Sequence, residues 1–108
     1  MEIAERDWKR WRQLTPILLD RFCRGVVHKA ATFSDSAGSG HEQFLALYHY
    51  LTQSNEDVAR VFDAPRRSMA LMQIAAAVSL NIMTREELAS FSQELRDRID
   101  ALIEIGSV

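Results

Sequence analysis

Met69-Ala70-Leu71-Met72-Gln73-Ile74-Ala75-Ala76-Ala77-Val78-Ser79-Leu80 is the stretch whose reading decides the fold. Its apolar side chains fall on most sides of a 3.6-residue period, and a helix that is apolar all round belongs at the centre of a bundle. Three consecutive alanines let neighbouring helices approach closely. The stretch is shorter than the roughly 18 apolar residues of a membrane span and is interrupted by Gln73 and Ser79. The sequence therefore predicts a central helix near 66–81, with Leu71, Ile74 and Val78 in the core and Met72 filling space beside them.

The neighbouring segments supply what must cover it. Pro65 ends one helix and suits the first turn of the next. Ser39-Gly40-His41-Glu42, Ser54-Asn55-Glu56-Asp57 and Thr84-Arg85-Glu86-Glu87 each set a hydroxyl three residues before an acid, the pattern of a capping box. These signals predict helices near 40–53, 55–63, 66–81 and 85–104. Ser92-Gln93-Glu94 offers a further start that would divide the last into 85–90 and 93–104. Phe44, Leu47, Tyr48 and Leu51 make one face of the first of these helices. Val58, Val61 and Phe62 make one side of the next. Leu88, Phe91, Leu95, Ile99, Leu102 and Ile103 are placed to cover the central helix.

At the N-terminal end, Trp8, Trp11, Leu18 and Phe22 recur at helical spacing from about Ile3 to Ala31, with Leu14 and Val26 near the same stripe. Glu2 with Arg6, Glu5 with Lys9 and Asp20 with Arg24 support it as i,i+4 pairs. Pro16 removes a backbone donor, and Thr15 before it suits an N-cap. A kinked helix or two closely abutted helices is expected. Ser34-Asp35-Ser36-Ala37-Gly38-Ser39-Gly40 reads as a connector; it follows no strand and lacks the Gly-Lys-Ser/Thr ending of a phosphate loop. The fold class is all-α: one domain, 1–108, an irregular bundle of five or six helices.

Size and composition agree. The chain has 108 residues, 47% hydrophobic and 26% charged, ordinary for one globular domain. Cys23 is the only cysteine, so no intrachain disulfide forms, and its place near the apolar stripe suggests a small core residue. The N-terminus is charged and lacks a signal-peptide core. A cytoplasmic protein without a membrane span is expected. The net charge of −2 is unevenly spread. Residues 1–31 carry seven basic and four acidic side chains, and residues 32–108 carry six and eleven. A basic first helix packed beside acidic ones accounts for the split.

No catalytic or metal-binding constellation is legible, and no cofactor is implied. His41 and His49 lie two turns apart, about 12 Å, too far to share one zinc ion without another fold of the chain. Glu56-Asp57 and Glu86-Glu87 fall in first turns, where the helix dipole favours acids. Two features rise above this background. Trp8-Lys9-Arg10-Trp11-Arg12 puts two indoles on one helix face among cations. Arg66-Arg67 puts two cations at a helix start, against the dipole, inviting an acidic neighbour such as Asp63 or a bound anion. Trp8, Trp11, Arg12, Arg66 and Arg67 are thus the candidate partner or anion contacts.

Asp20-Arg21-Phe22-Cys23, His41-Glu42, Phe62-Asp63-Ala64-Pro65-Arg66-Arg67-Ser68 and Leu88-Ala89-Ser90-Phe91-Ser92 give residues 8–104 a look that resembles a group of short, uncharacterised bacterial helical proteins. The resemblance implies a bacterial origin and a helical fold, and no activity. The leading expectation is a non-enzymatic protein–protein interaction or structural module whose partner is a protein, including a second copy in a homodimer. A nucleic-acid-binding domain using Trp8–Arg12 and Arg66-Arg67 is the alternative, opposed by the net acidity and a pI near 5.9. A small enzyme with a site between helices, drawing on His41, His49, Cys23, Arg66 or Arg67, is the third class.

Overall fold

The structure is a computed structural model that describes residues 2–106. Five α-helices and one 3-10 turn follow in order: α1 (Glu5–Ala30), the 3-10 turn (Ala31–Asp35), α2 (Gly40–Phe62), α3 (Arg67–Ser79), α4 (Arg85–Ala89) and α5 (Gln93–Glu104). No strand occurs among the described residues, so the fold is all-α as expected.

Helix α3 is the most buried element, with Ala70, Gln73, Ile74, Ala75, Ala76 and Ala77 inside. It packs on α1, α2 and α5. Small alanine side chains on several sides are what let three helices close on one. Leu71 and Val78 are only partly buried against the core. Met72 does not fill space beside Ile74 but lies exposed, as does Met69. The alanines occupy the contact faces, which turns the methionines outward.

Three of the anticipated helix starts form. Ser39 and Thr84 each close a full capping box, with Glu42 and Glu87. Ser92 caps α5 by accepting from the Leu95 amide, so 85–104 is two helices. The fourth start fails. Ser54 lies inside α2, buried, and its hydroxyl donates to the Tyr50 carbonyl at 2.8 Å. The less exposed stripe of α2 continues without a break through Leu47, Ser54, Val58 and Val61, and its packing overrides the cap. Asp57, the intended acid of the box, instead accepts from Gln53 Nε2 at 3.3 Å.

Helix α1 is likewise one helix through Pro16, not an abutted pair. The proline's missing amide would have bonded the Arg12 carbonyl, and Thr15 Oγ1 donates to that carbonyl instead, at 3.2 Å. At its far end α3 stops in a Schellman motif. Asn81 takes a φ of 57°, its amide bonds Val78 O at 3.0 Å, and the Ile82 amide bonds Ala77 O at 3.1 Å. Ile82 then drops into the core. Between α2 and α3, Ala64 takes a φ of 46°, and Gln73 Nε2 holds this turn by donating to the Asp63 carbonyl at 2.8 Å.

The core is lopsided. Ile3, Trp11, Leu14, Leu18, Val61, Phe91, Leu95 and Ile99 surround α3, yet no residue from Leu19 to Gln53 is buried. The halves of α1 and α2 next to the 3-10 turn form an antiparallel hairpin extending beyond the core. The extents are 51 × 27 × 25 Å and the radius of gyration is 16.0 Å, against about 13 Å for a compact chain of this length.

Candidate functional site

The protruding hairpin carries the largest unexplained feature of the surface. The less exposed residues here are Phe22 and Val26 on α1, and Gln43, Leu47, Tyr50 and Ser54, on one helical stripe, on α2. Phe44, Tyr48 and Leu51 lie at i, i+4 and i+7, rotated off that stripe toward solvent. Cys23 and Val27 stand beside them on α1. Val27 is 71% exposed, Phe44 63%, Tyr48 58% and Leu51 43%. A groove of about 230 Å³ joins the two helices, lined by Cys23, Val26, Val27, Leu51, Ser54, Asn55 and Val58. Pro16 and Leu19 continue the strip toward the core along α1.

This overturns two expectations. The face made by Phe44, Tyr48 and Leu51 is not core, and Cys23 is exposed. In α1 the core-facing register is set by Trp11, Leu14, Leu18 and Phe22. Cys23 stands one residue, about 100°, off it.

The strip carries no carboxylate, lysine or arginine. Its rim does: Arg24 Nε pairs with Asp20 Oδ2 at 2.7 Å on one edge. On the other side of the hairpin the turn is braced by aromatic contacts. Phe33 stacks on Tyr50 with centroids 5.3 Å apart, and Lys29 Nζ sits 5.0 Å from the same ring. These contacts hold the two helices together at the tip and leave the apolar strip facing solvent.

The candidate contacts from the sequence are dispersed. Trp11 is fully buried. Trp8 is half-buried, with the exposed Arg12 guanidinium 5.8 Å from its ring. The two indoles therefore do not present a joint stacking surface. Arg66 is exposed at the N-cap of α3. Arg67 is engaged within the chain: its Nε donates to the Ile3 carbonyl at 2.9 Å and lies 3.8 Å from Glu2 Oε2. Glu2, not Asp63, is the acid beside Arg67 at this helix start. The cleft of about 290 Å³ beside Arg67 holds Glu2, Asp7, Ser92, Glu94 and Arg98, without a histidine. His28, His41 and His49 are all exposed.

One buried polar cluster went unmarked in the sequence. Asp7, almost wholly buried, accepts from the Ser92 amide at 2.9 Å and from Ser92 Oγ at 2.6 Å. Ser92 Oγ also accepts from the Leu95 amide at 3.2 Å. That hydroxyl is thus committed to joining α1 to the start of α5, which makes the pair a structural clamp. Its signal was Asp7 itself, four residues before Trp11 and so on the apolar stripe.

No group of three or more His, Cys, Asp or Glu side chains is placed to hold a metal ion among the described residues. No helix among them is long and apolar enough to cross a membrane. Comparison with protein families, with curated proteins and with solved structures finds no match to this chain.

Proposed function

We propose that this chain is a non-enzymatic protein-interaction module that docks through the apolar strip of the α1/α2 hairpin. One observation carries the reading: residues 19–53 hold eleven large apolar or aromatic side chains and bury none of them. Contiguous apolar surface of this kind marks protein contact sites on small soluble domains. Aromatic residues are enriched in interface cores and charged residues depleted, as on this strip. The nucleic-acid reading loses ground because Trp11 is enclosed and Arg67 is paired within the chain. A bacterial origin, drawn from the sequence resemblance alone, and a cytoplasmic setting are compatible with this reading.

A photo-crosslinking amino acid at position 48 tests it in producing cells, with the exposed Glu86 of α4 as the control position. Position 48 is expected to trap a protein chain and position 86 not. Equal, background-level crosslinking at the two positions overturns the proposal.

A further inference from the structure

Resting on the reading of the strip as a docking surface, we infer that its occupant is a second copy of this chain, joined by a twofold axis. The two hairpins then close face to face into a four-helix bundle.

The first argument is self-complementarity. A twofold interface sets one patch against itself, so a charged patch repels its own copy. Pro16, Leu19, Cys23 and Val27 on α1, and Phe44, Tyr48, Leu51 and Asn55 on α2, include no carboxylate, lysine or arginine. The strip meets a copy of itself without burying a charge, which is the costly step at interfaces.

The second argument is the rim. Asp20 and Arg24, beside the strip on α1, pair with each other at 2.7 Å. Arg21 is bonded to Glu87, and Lys29 lies over Tyr50 on the other side of the hairpin. The α1 side of the strip therefore sets no unpaired charge against its own copy.

The third argument is area. Val27, Phe44, Tyr48 and Leu51 leave roughly 400–500 Å² of side-chain surface bare, on the scale of 150–250 Å² for a fully buried aromatic. With Pro16, Leu19, Cys23 and Asn55 the strip reaches about 600 Å² per copy, so a pair covers about 1,200 Å², the lower edge for specific interfaces.

Sedimentation of the purified chain from about 1 to 300 μM tests this, bracketing the micromolar range. A monomer–dimer equilibrium is expected. Val27→Glu and Tyr48→Glu each place a carboxylate in the strip and should weaken dimerisation more than tenfold. Ile17→Glu, turned about 100° around α1 from Pro16, should leave it unchanged. All three positions are solvent-exposed, and circular dichroism confirms the fold of each variant. A monomer throughout the range, or equal effects at positions 17 and 48, overturns the second copy as occupant. A purified monomer whose position 48 still traps a different chain in cells overturns this inference and leaves the docking reading standing. If position 48 traps nothing, both fall.

Discussion

Arg21 and Glu87 show what a single pair of side chains does for this fold. Arg21 reaches from the middle of α1 with two nitrogens on the Glu87 carboxylate, at 2.7 and 3.1 Å, and a further bond to the Ile82 carbonyl at 3.0 Å. Glu87 also accepts from the Thr84 amide at 2.8 Å, as the return bond of its capping box. The Arg21 guanidinium, aided by Thr84, holds the Glu87 carboxyl down at about 2, against burial that opposes it. A folded-state value below the unfolded one stabilises the chain fully above the unfolded value near 4.5, and that contribution is lost as pH falls toward 2. Arg21 is 40% exposed, so solvent screening discounts the effect to about 1–2 kcal/mol. Urea unfolding at pH 5 and pH 2.5 checks this. Glu87→Gln should be less stable than the parent by that amount at pH 5 and close to it at pH 2.5. An equal gap at both pH values would show that the ion pair contributes nothing. The cap half of this arrangement is legible in the sequence because Thr84 and Glu87 are three residues apart. The ion-pair half joins residues 66 apart, and no local pattern announces it. Asp7 with Ser92, 85 apart, is hidden for the same reason.

Among the elements, α3 was readable because composition and period agree over the whole stretch, and its burial requires only that something cover it. The direction of individual side chains was harder. Ser54 and Pro16 each carry a boundary signal that local chemistry supports and packing overrules: the stripe on α2 passes straight through Ser54, and Thr15 replaces the bond that Pro16 cannot make. The strip residues were misplaced by a related ambiguity. Phe44, Leu47, Tyr48 and Leu51 share one broad apolar face, and periodicity cannot tell which edge of it meets α1. Ile74 escapes this ambiguity, lying where α3 contacts α1, α2 and α5 and fully buried. Ile74→Ala should therefore cost about 2–5 kcal/mol, because the alanines beside it have no side-chain length with which to refill the space. Chemical denaturation measures it. A loss within about 0.5 kcal/mol, typical of surface positions, would mean that α3 is not the element around which the chain is organised.

At the scale of the whole molecule, stability should be distributed as unevenly as the core. Helices gain most of their stability from packing an apolar face, and short isolated ones are marginal in water. The lower half of the bundle has that packing, where α3 is covered by α1, α2 and α5. Past Arg21 and Phe22, which still reach Glu87 and the core, the chain as far as Gln53 has mainly α1 against α2, the aromatic brace at Tyr50 and no buried side chain. Segments with few buried apolar contacts open locally at free energies well below global unfolding. Amide hydrogen exchange on dilute protein should therefore find the amides of residues 23–30 and 44–51 exchanging faster than those of residues 73–78 by orders of magnitude. A second copy on the strip slows every opening that breaks the interface. Raising the concentration through the dimerisation range should slow exchange in residues 23–30 and 44–51, following the mass-action stabilisation of whatever the partner binds. The amides of residues 73–78 in α3, which exchange through global unfolding, should slow by a similar factor, because unfolding also dissociates the pair; those of α4, which open without disturbing the strip, should not. Uniform protection along the chain would contradict the lopsided core. Uneven protection that ignores concentration would keep the core as described and remove the second copy from the strip.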